Sequence, residues 1–261
     1  MAPDNDPPGA HAVPVGAVEA RLRSELKKRK TLLFALIDSE VSDTKSAQDL
    51  ARGAEKAGAS AILVGGSSTG DQAETSRIVG DIKEATTIPV ILFPGNVTGV
   101  APGADAILFS SLMNSENPYF ITQAQALGAP SVLKFGLEAL PTAYLVIGEG
   151  TSVWFVGAAR GIPLGKPRIA AAYSLAARFL GMRFVYLEAG SGAESPVKPE
   201  MIRAVREAFD GFLIVGGGIR DEEAARRASE AGADAIVIGT MLEGGGSLDK
   251  LSRIAGAIGG T

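Results

Sequence analysis

Short apolar runs recur along the chain, separated by stretches in which apolar residues return at helical spacing. The runs near 31–37, 61–64, 88–93, 105–109, 143–147, 183–187, 211–215 and 234–238 predict strands. The amphipathic stretches near 17–30, 44–57, 72–85, 117–127, 167–180, 198–209, 220–231 and 247–258 predict helices. Runs such as "FLIVG" (212–216) show no polar alternation, so both strand faces are expected to be covered, as in a parallel sheet. Three segments echo one another: "AEKAGASAILVGG" (54–66), "APGADAILFSS" (101–111) and "ASEAGADAIVIGT" (228–240). Gly58 and Gly232 suit the left-handed residue that ends a helix, and a buried strand follows each. Gly103 suits a turn, because the Pro-rich stretch before it cannot be helical.

Strands that alternate with helices eight times over this length predict an α/β fold, a (β/α)8 TIM barrel rather than an open doubly wound sheet. One unit departs from the pattern. "PGNVTGVAPGA" (94–104) is too rich in Gly and Pro for a helix, so the expected barrel is a modified one with an irregular segment there. Residues 1–16, "MAPDNDPPGAHAVPVG", read as a disordered lead, and 17–261 as a single catalytic domain.

Composition narrows the chemistry. Cysteine is absent, which removes disulfides, thiolate metal sites and Cys nucleophiles. The one histidine, His11, falls in the lead, so acid–base chemistry is expected from carboxylates, Lys, Tyr or water. A net charge of −4 argues against a nucleic-acid partner held by phosphate neutralisation. No stretch has the ~20 apolar residues that a bilayer requires, and the start lacks the features of a secretory signal. A soluble, cytoplasmic protein is the expectation, with contact at a membrane surface left open.

In such a barrel the active site lies where the C-terminal ends of the strands meet. Those ends carry Asp38, Ser67, Glu188, Gly217, Gly218, Gly239 and Thr240 among other small residues. "VGGGIRDEEAARRA" (215–228) and "IGTMLEGGGSLDKL" (238–251) follow the last two strands. Glycines there let backbone N–H groups approach an anion, and a helix start adds a favourable partial charge, so a phosphate site is expected; the bland reading is two tight turns. Asp38 ends "TLLFALID" and Ser67 falls in "ILVGGSS". One carboxylate, one hydroxyl and a diphosphate would suit Mg²⁺, whereas the bland alternative makes both residues caps. Glu188 sits in "YLEAGSG" (186–192), an acid followed by residues of almost no bulk. It is the candidate catalytic residue, as base or as positioner of a substrate hydroxyl; the alternative is a structural ion pair.

At "YLEAGSG", "ILVGGSS", "VGGGIR", "IGT" and "FPGNV" the chain resembles the geranylgeranylglyceryl phosphate synthases, in their larger, mainly archaeal branch. The resemblance covers roughly 30–258. It implies a modified (β/α)8 barrel that transfers a geranylgeranyl group from geranylgeranyl diphosphate to the 3-hydroxyl of sn-glycerol 1-phosphate. It also implies Mg²⁺ at Asp38 and Ser67, and glycerol phosphate contacts from Tyr186, Leu187, Glu188, Ala189, Gly190, Ser191 and Gly192, with Gly217, Gly218, Gly239 and Thr240. The chain departs from the family after the strand-end Asp, where Ser39, Glu40 and Val41 replace the usual Pro and second Asp.

The resemblance further implies a homo-oligomer, a dimer or a hexamer. Trp154 and Phe155, in "GTSVWFVGAARGIP" (150–163), suit either a subunit contact or burial beneath their loop. Phe93, Phe109, Tyr119, Phe120 and Tyr144 are conceivable lining residues for an apolar groove holding the prenyl tail, although ordinary core or helix packing is the commoner role of such residues. Two rival readings stand beside this one. A heptaprenylglyceryl phosphate synthase would use a longer donor, and a non-catalytic phosphate-binding barrel would keep the glycine loops without needing Asp38 or Glu188.

Overall fold

The computed structural model describes residues 14–38, 44–66, 71–239 and 247–259. Ser67, Thr240, His11 and the Ser39–Val41 departure lie outside them. Eight parallel strands close into a barrel in chain order: β1 (Leu32–Ile37), β2 (Ala61–Gly66), β3 (Val90–Pro94), β4 (Ala106–Leu112), β5 (Glu138–Val146), β6 (Phe184–Glu188), β7 (Phe212–Gly216) and β8 (Ala235–Ile238). Pairing of β1 with β8, Leu32 against Ala235 through Ala35 against Ile238, closes the ring.

The alternating pleat sorts the strand residues into two cores. Phe34, Leu63, Ile91, Leu108, Phe184, Tyr186, Phe212 and Val237 fill the barrel interior. Leu33, Ile62, Val64, Val185, Leu187 and Val215 face outward, against the surrounding helices. That double burial is why the strands read as unbroken apolar runs.

Helix α1 (Ala17–Leu26) closes the barrel at the N-terminal ends of the strands, inserting Val18 and Leu22 into the interior cluster. Glu138, which opens β5, accepts from the Val18 amide at 2.7 Å and the Glu19 amide at 2.9 Å. Glu19 is itself buried and pairs with Arg183 and Arg23, each at 2.8 Å. Breaking such a buried pair by removing one partner typically costs about 3–5 kcal/mol. With this end plugged, the mouth at the opposite end is where the barrel can receive a ligand.

The outer helices α2 (Thr44–Lys56), α3 (Gln72–Ala85), α6 (Pro167–Phe179), α7 (Pro199–Ala208), α8 (Glu222–Glu230) and α9 (Ser247–Ile258) fall close to the expected stretches. Gly58, Gly103 and Gly232 all take positive φ, at 99°, 98° and 107°, as the turns after their segments require. The irregular 94–104 unit is present: between β3 and β4 the chain makes only a three-residue 3-10 turn, Val97–Gly99, capped by Asn96 Oδ1 accepting from the Val97 amide at 2.6 Å.

Three elements differ from the expectation. Strand β5 begins at Glu138, ahead of the expected 143, and runs through Pro141. The proline lacks a donor but keeps its carbonyl in the ladder, accepting from the Arg183 amide at 3.1 Å. The helix expected over 117–127 is a π turn, Tyr119–Gln123, that leads into α4 (Ala124–Lys134) past Gly128 and Pro130. Burial of Gly128 and Val132 overrides the poor local propensity. A short helix, α5 (Ser152–Val156), carries the aromatic pair. Trp154 packs against the cluster of Leu112, Val146 and Ala159, while Phe155 is 78% exposed. The burial reading thus holds for Trp154, whereas Phe155 is left exposed.

Candidate active site

Glu188 is the last residue of β6, and its side chain is 94% removed from solvent, given a relative exposure of 6%. Gly190 takes φ 99°, which turns its amide back onto Glu188 Oε1 at 2.5 Å. Two residues before Glu188 on the same face stands Tyr186, and β5 places Tyr144 beside it in register. The Tyr144 and Tyr186 rings stack at 5.1 Å and 12°, with Phe93 edge-on to both at 5.6 and 5.4 Å. Both tyrosines stand on the same sheet face as the Glu188 carboxylate. Burial pushes the Glu188 carboxyl above its ordinary range, and the Gly190 amide and the two phenols oppose that rise. Burial also drives both phenols well above theirs, with the Glu188 charge adding to the effect, so they stay protonated donors.

The glycines after β7 shape the same pocket. A Cβ on Gly216 would collide with the Tyr186 hydroxyl. Gly217 and Gly218 follow with φ of 76° and 70°, conformations that L side chains avoid. A Cβ on Gly218 would meet the Pro196 nitrogen at 2.9 Å. Arg220 fastens this loop to the one after β6, its Nη2 donating to Ala193 O at 2.9 Å. Helix α8, by contrast, has its N-terminus already occupied: Asp221 accepts from the Ala224 amide at 2.7 Å, and Glu222 and Glu223 fill the first turn. An anion here therefore meets the glycine backbone rather than the end of α8.

Beside these residues lies a cavity of about 470 Å³. One pole is lined by Asp38, Tyr186, Glu188, Ser191, Gly192, Gly217, Gly218 and Gly239, with the cations Arg220 and Lys250. The remainder is mainly apolar, bounded by Phe93, Val97, Val100, Phe109, Phe120, Gly128, Val132 and Val153, with Asn96, Ser110, Gln125 and Ser152 among them. The 3-10 turn stands where a regular barrel helix would cover β3 and β4, so the groove opens beneath it, with α4 as its outer wall. Phe93, Phe109, Phe120 and Tyr144, candidates for that groove, do line the cavity.

The structure separates the remaining candidates. Leu187 and Ala189 point into the outer core, and Gly190 lies behind Glu188, so none of the three borders the cavity. Three residues that strand-end reading passed over as polar contributors are Tyr144, Arg220 and Lys250. Arg220 stands two residues after the glycine run and was legible there; Tyr144 was legible only through its cross-strand register with Tyr186.

Comparison with known proteins places this geometry. The PcrB family matches residues 25–257. The geranylgeranylglyceryl phosphate synthase of Nitrosopumilus maritimus is 71% identical over 241 residues, covering 92% of this chain and 96% of that protein. The synthase of the same name from Thermococcus gammatolerans is 52% identical, covering 92% and 94%. Among solved structures, (S)-3-O-geranylgeranylglyceryl phosphate synthase from Thermoplasma acidophilum in complex with substrate sn-glycerol-1-phosphate superposes with a TM-score of 0.88 at 36% identity, over 94% of this chain and 99% of that one. Near-complete coverage on both sides leaves no part of the barrel unmatched, and the chain belongs to the PcrB family, with the geranylgeranylglyceryl phosphate synthases.

Proposed function

We propose that this chain transfers a geranylgeranyl group from geranylgeranyl diphosphate to the 3-hydroxyl of sn-glycerol 1-phosphate. The observation that carries the reading is the two-part cavity, a carboxylate-and-glycine pole joined to an apolar groove. A polar phosphate acceptor and an apolar chain donor need those two environments side by side. The relatives' shared name and the substrate in the Thermoplasma acidophilum complex support the same assignment.

In this reading the amides of Gly217 and Gly218 receive the glycerol phosphate, with Ser191, Gly192 and Gly239 around it and Arg220 and Lys250 adding positive charge; Thr240, the next residue in sequence, lies outside the described residues. The groove takes the prenyl tail and excludes water. Glu188 orients the 3-hydroxyl and accepts its proton as the new C–O ether bond forms. The allylic C–O bond to diphosphate breaks at the same carbon, and pyrophosphate leaves with that electron pair. Holding both substrates at one mouth makes the encounter local.

The donor set fits Mg²⁺. Asp38 offers a carboxylate at the rim; Ser67, which follows β2 in sequence and lies outside the described residues, would supply a second oxygen donor. Among the described residues no group of three or more His, Cys, Asp or Glu is placed to hold a metal, so the diphosphate and water would complete the shell, as this hard cation favours. When bound, Mg²⁺ neutralises charge that builds on the leaving diphosphate.

No helix among the described residues is long and apolar enough to cross a membrane. Self-association into a dimer or hexamer would give the exposed Phe155 and Phe179 a cover. The test of function is a product assay with purified protein, Mg²⁺ and both substrates, read by mass detection of the prenyl ether phosphate. A heptaprenyl diphosphate arm tests the longer donor. Glycerol phosphate binding without any product would instead favour the non-catalytic barrel.

A further inference from the structure

We propose that Gln125 is a positioning residue for the prenyl donor: its side-chain amide ties the π turn that carries Phe120 to β4, and so sets the outer wall of the apolar groove before the chain enters. The inference rests on the transfer reaction proposed above and deepens it, giving a residue of α4 a part in donor binding. Gln125 lies in the first turn of α4 and borders the cavity, as do Ser110 and Phe120. Its Nε2 donates to two carbonyls from different elements, Ser110 O of β4 at 2.5 Å and Phe120 O of the π turn at 3.1 Å. From β4, Ser111 Oγ donates to the next carbonyl of that turn, Ile121 O, at 2.8 Å.

These bonds answer a local need. In the π turn the Ala124 amide donates five residues back, to Tyr119 O, and α4 then continues with ordinary helical bonding. Where the two ladders meet, carbonyls are left for donors from outside. Packing alone does not account for a glutamine here. Donation to two carbonyl oxygens fixes the orientation of the amide and leaves Oε1, a buried atom, with no hydrogen-bond partner among the described residues. An unpaired buried acceptor is destabilising, and methionine would fill the space without one. What glutamine supplies in return is the pair of donor bonds. Phe120, held by that tie, lies edge-on to Tyr119 at 5.1 Å and packs against the cluster of Leu112, Val146 and Ala159. The same π turn reaches the 3-10 turn through Tyr119 Oη, which donates to Asn96 Oδ1 at 2.5 Å. A wall fixed in this way spares the donor the entropy of ordering it on binding.

The test is a pair of variants. Gln125→Met keeps length and bulk but removes both donor bonds; Gln125→His restores one N–H, at Nε2, the same number of bonds from the backbone. Donor affinity is read by calorimetry with Mg²⁺ and geranylgeranyl S-thiolodiphosphate, an analogue whose sulfur bridge makes it a poor leaving group. Gln125→Met should bind it about tenfold more weakly than the parent and raise the KM for geranylgeranyl diphosphate by the same factor. Both kcat and glycerol phosphate affinity should stay within about threefold, because Glu188 and the glycine loops are untouched. Gln125→His should fall between, about threefold weaker than the parent. Should Gln125→Met not fold, Gln125→Leu, a good helix former without donors, takes its place with the same expectation. Parental donor affinity in the variant without donors overturns the proposal, as does an equal loss for glycerol phosphate or a Gln125→His that binds no better. Calorimetry needs no turnover. A parent chain that binds the analogue yet forms no product would count against the transfer reaction, while the variants still decide the role of Gln125.

Discussion

A Cβ added to Gly217 would strike the Glu188 carboxylate oxygen, and it would lie 2.6 Å from the Gly190 nitrogen that donates to that oxygen. The loop after β7 and the acid at the end of β6 are thus fitted to each other. Gly217→Ala has two separable costs. The left-handed φ of 76° is worth about 1–2 kcal/mol of strain in any L residue, which a urea titration should read as lost stability. Displacement of the carboxylate should lower kcat about a hundredfold, the usual scale for a misplacement near 1 Å. A variant that loses stability but turns over at the parent rate would mean that Gly217 serves the backbone alone.

The elevated carboxyl of Glu188 sets the direction of two pH effects. Burial is its largest cause. The ionised form is the one that accepts the hydroxyl proton, so activity should fall as pH drops through a value above the ordinary carboxylate range. Stability runs the other way. A carboxyl whose folded pKa exceeds its unfolded one favours the fold fully below the unfolded pKa, and that contribution is lost as pH rises through the folded one. Glu188→Gln should therefore lower turnover by about 10²–10⁴-fold while melting higher than the parent at neutral pH. The melting difference should shrink as the pH is lowered to 4. Equal melting curves at every pH would show that the buried charge carries no cost.

Asp38 follows the end of β1, beside the β8 end that carries Gly239, and lines the polar pole of the cavity. If it serves the diphosphate through Mg²⁺, Asp38→Ala should cut turnover at least about a hundredfold. Affinity for glycerol phosphate, measured by calorimetry without donor, should stay within about threefold, because its phosphate contacts lie elsewhere. A full parent rate at saturating Mg²⁺ would remove Asp38 from the reaction.

Much of this arrangement was legible in the chain before any coordinates. Unbroken apolar strands marked a sheet covered on both faces, and Gly and Pro over 94–104 marked the missing helix. Glu188 and the Gly217–Gly218 pair stood out because a strand end seldom joins an acid to such small neighbours. What escaped reading depends on long-range contact. The start of β5 was hidden by Pro141, whose carbonyl finds its donor forty-two residues on, at Arg183. α4 continues past Gly128 and Pro130 because packing overrides propensity, and local composition carries no trace of that. Tyr144 looked like a groove aromatic until register set it against Tyr186 and Glu188. Leu187 and Ala189 belong to a contiguous motif by sequence, yet the pleat turns them away from the cavity.

The groove itself yields the last prediction. Gly128 sits on the wall of α4, and a Cβ there would meet Val97 and Val100 only at an ordinary 3.7 Å. Alanine is thus accommodated, whereas a larger side chain would continue into the space assigned to the prenyl tail. Gly128→Ala should leave activity and melting nearly unchanged, helped slightly by the higher helix propensity of alanine. Gly128→Phe should raise the KM for geranylgeranyl diphosphate at least about tenfold, since each displaced methylene forgoes about 0.8 kcal/mol of burial. Shorter allylic diphosphates should lose much less, and glycerol phosphate affinity should hold. Parallel losses for short and long donors would place the tail outside this groove.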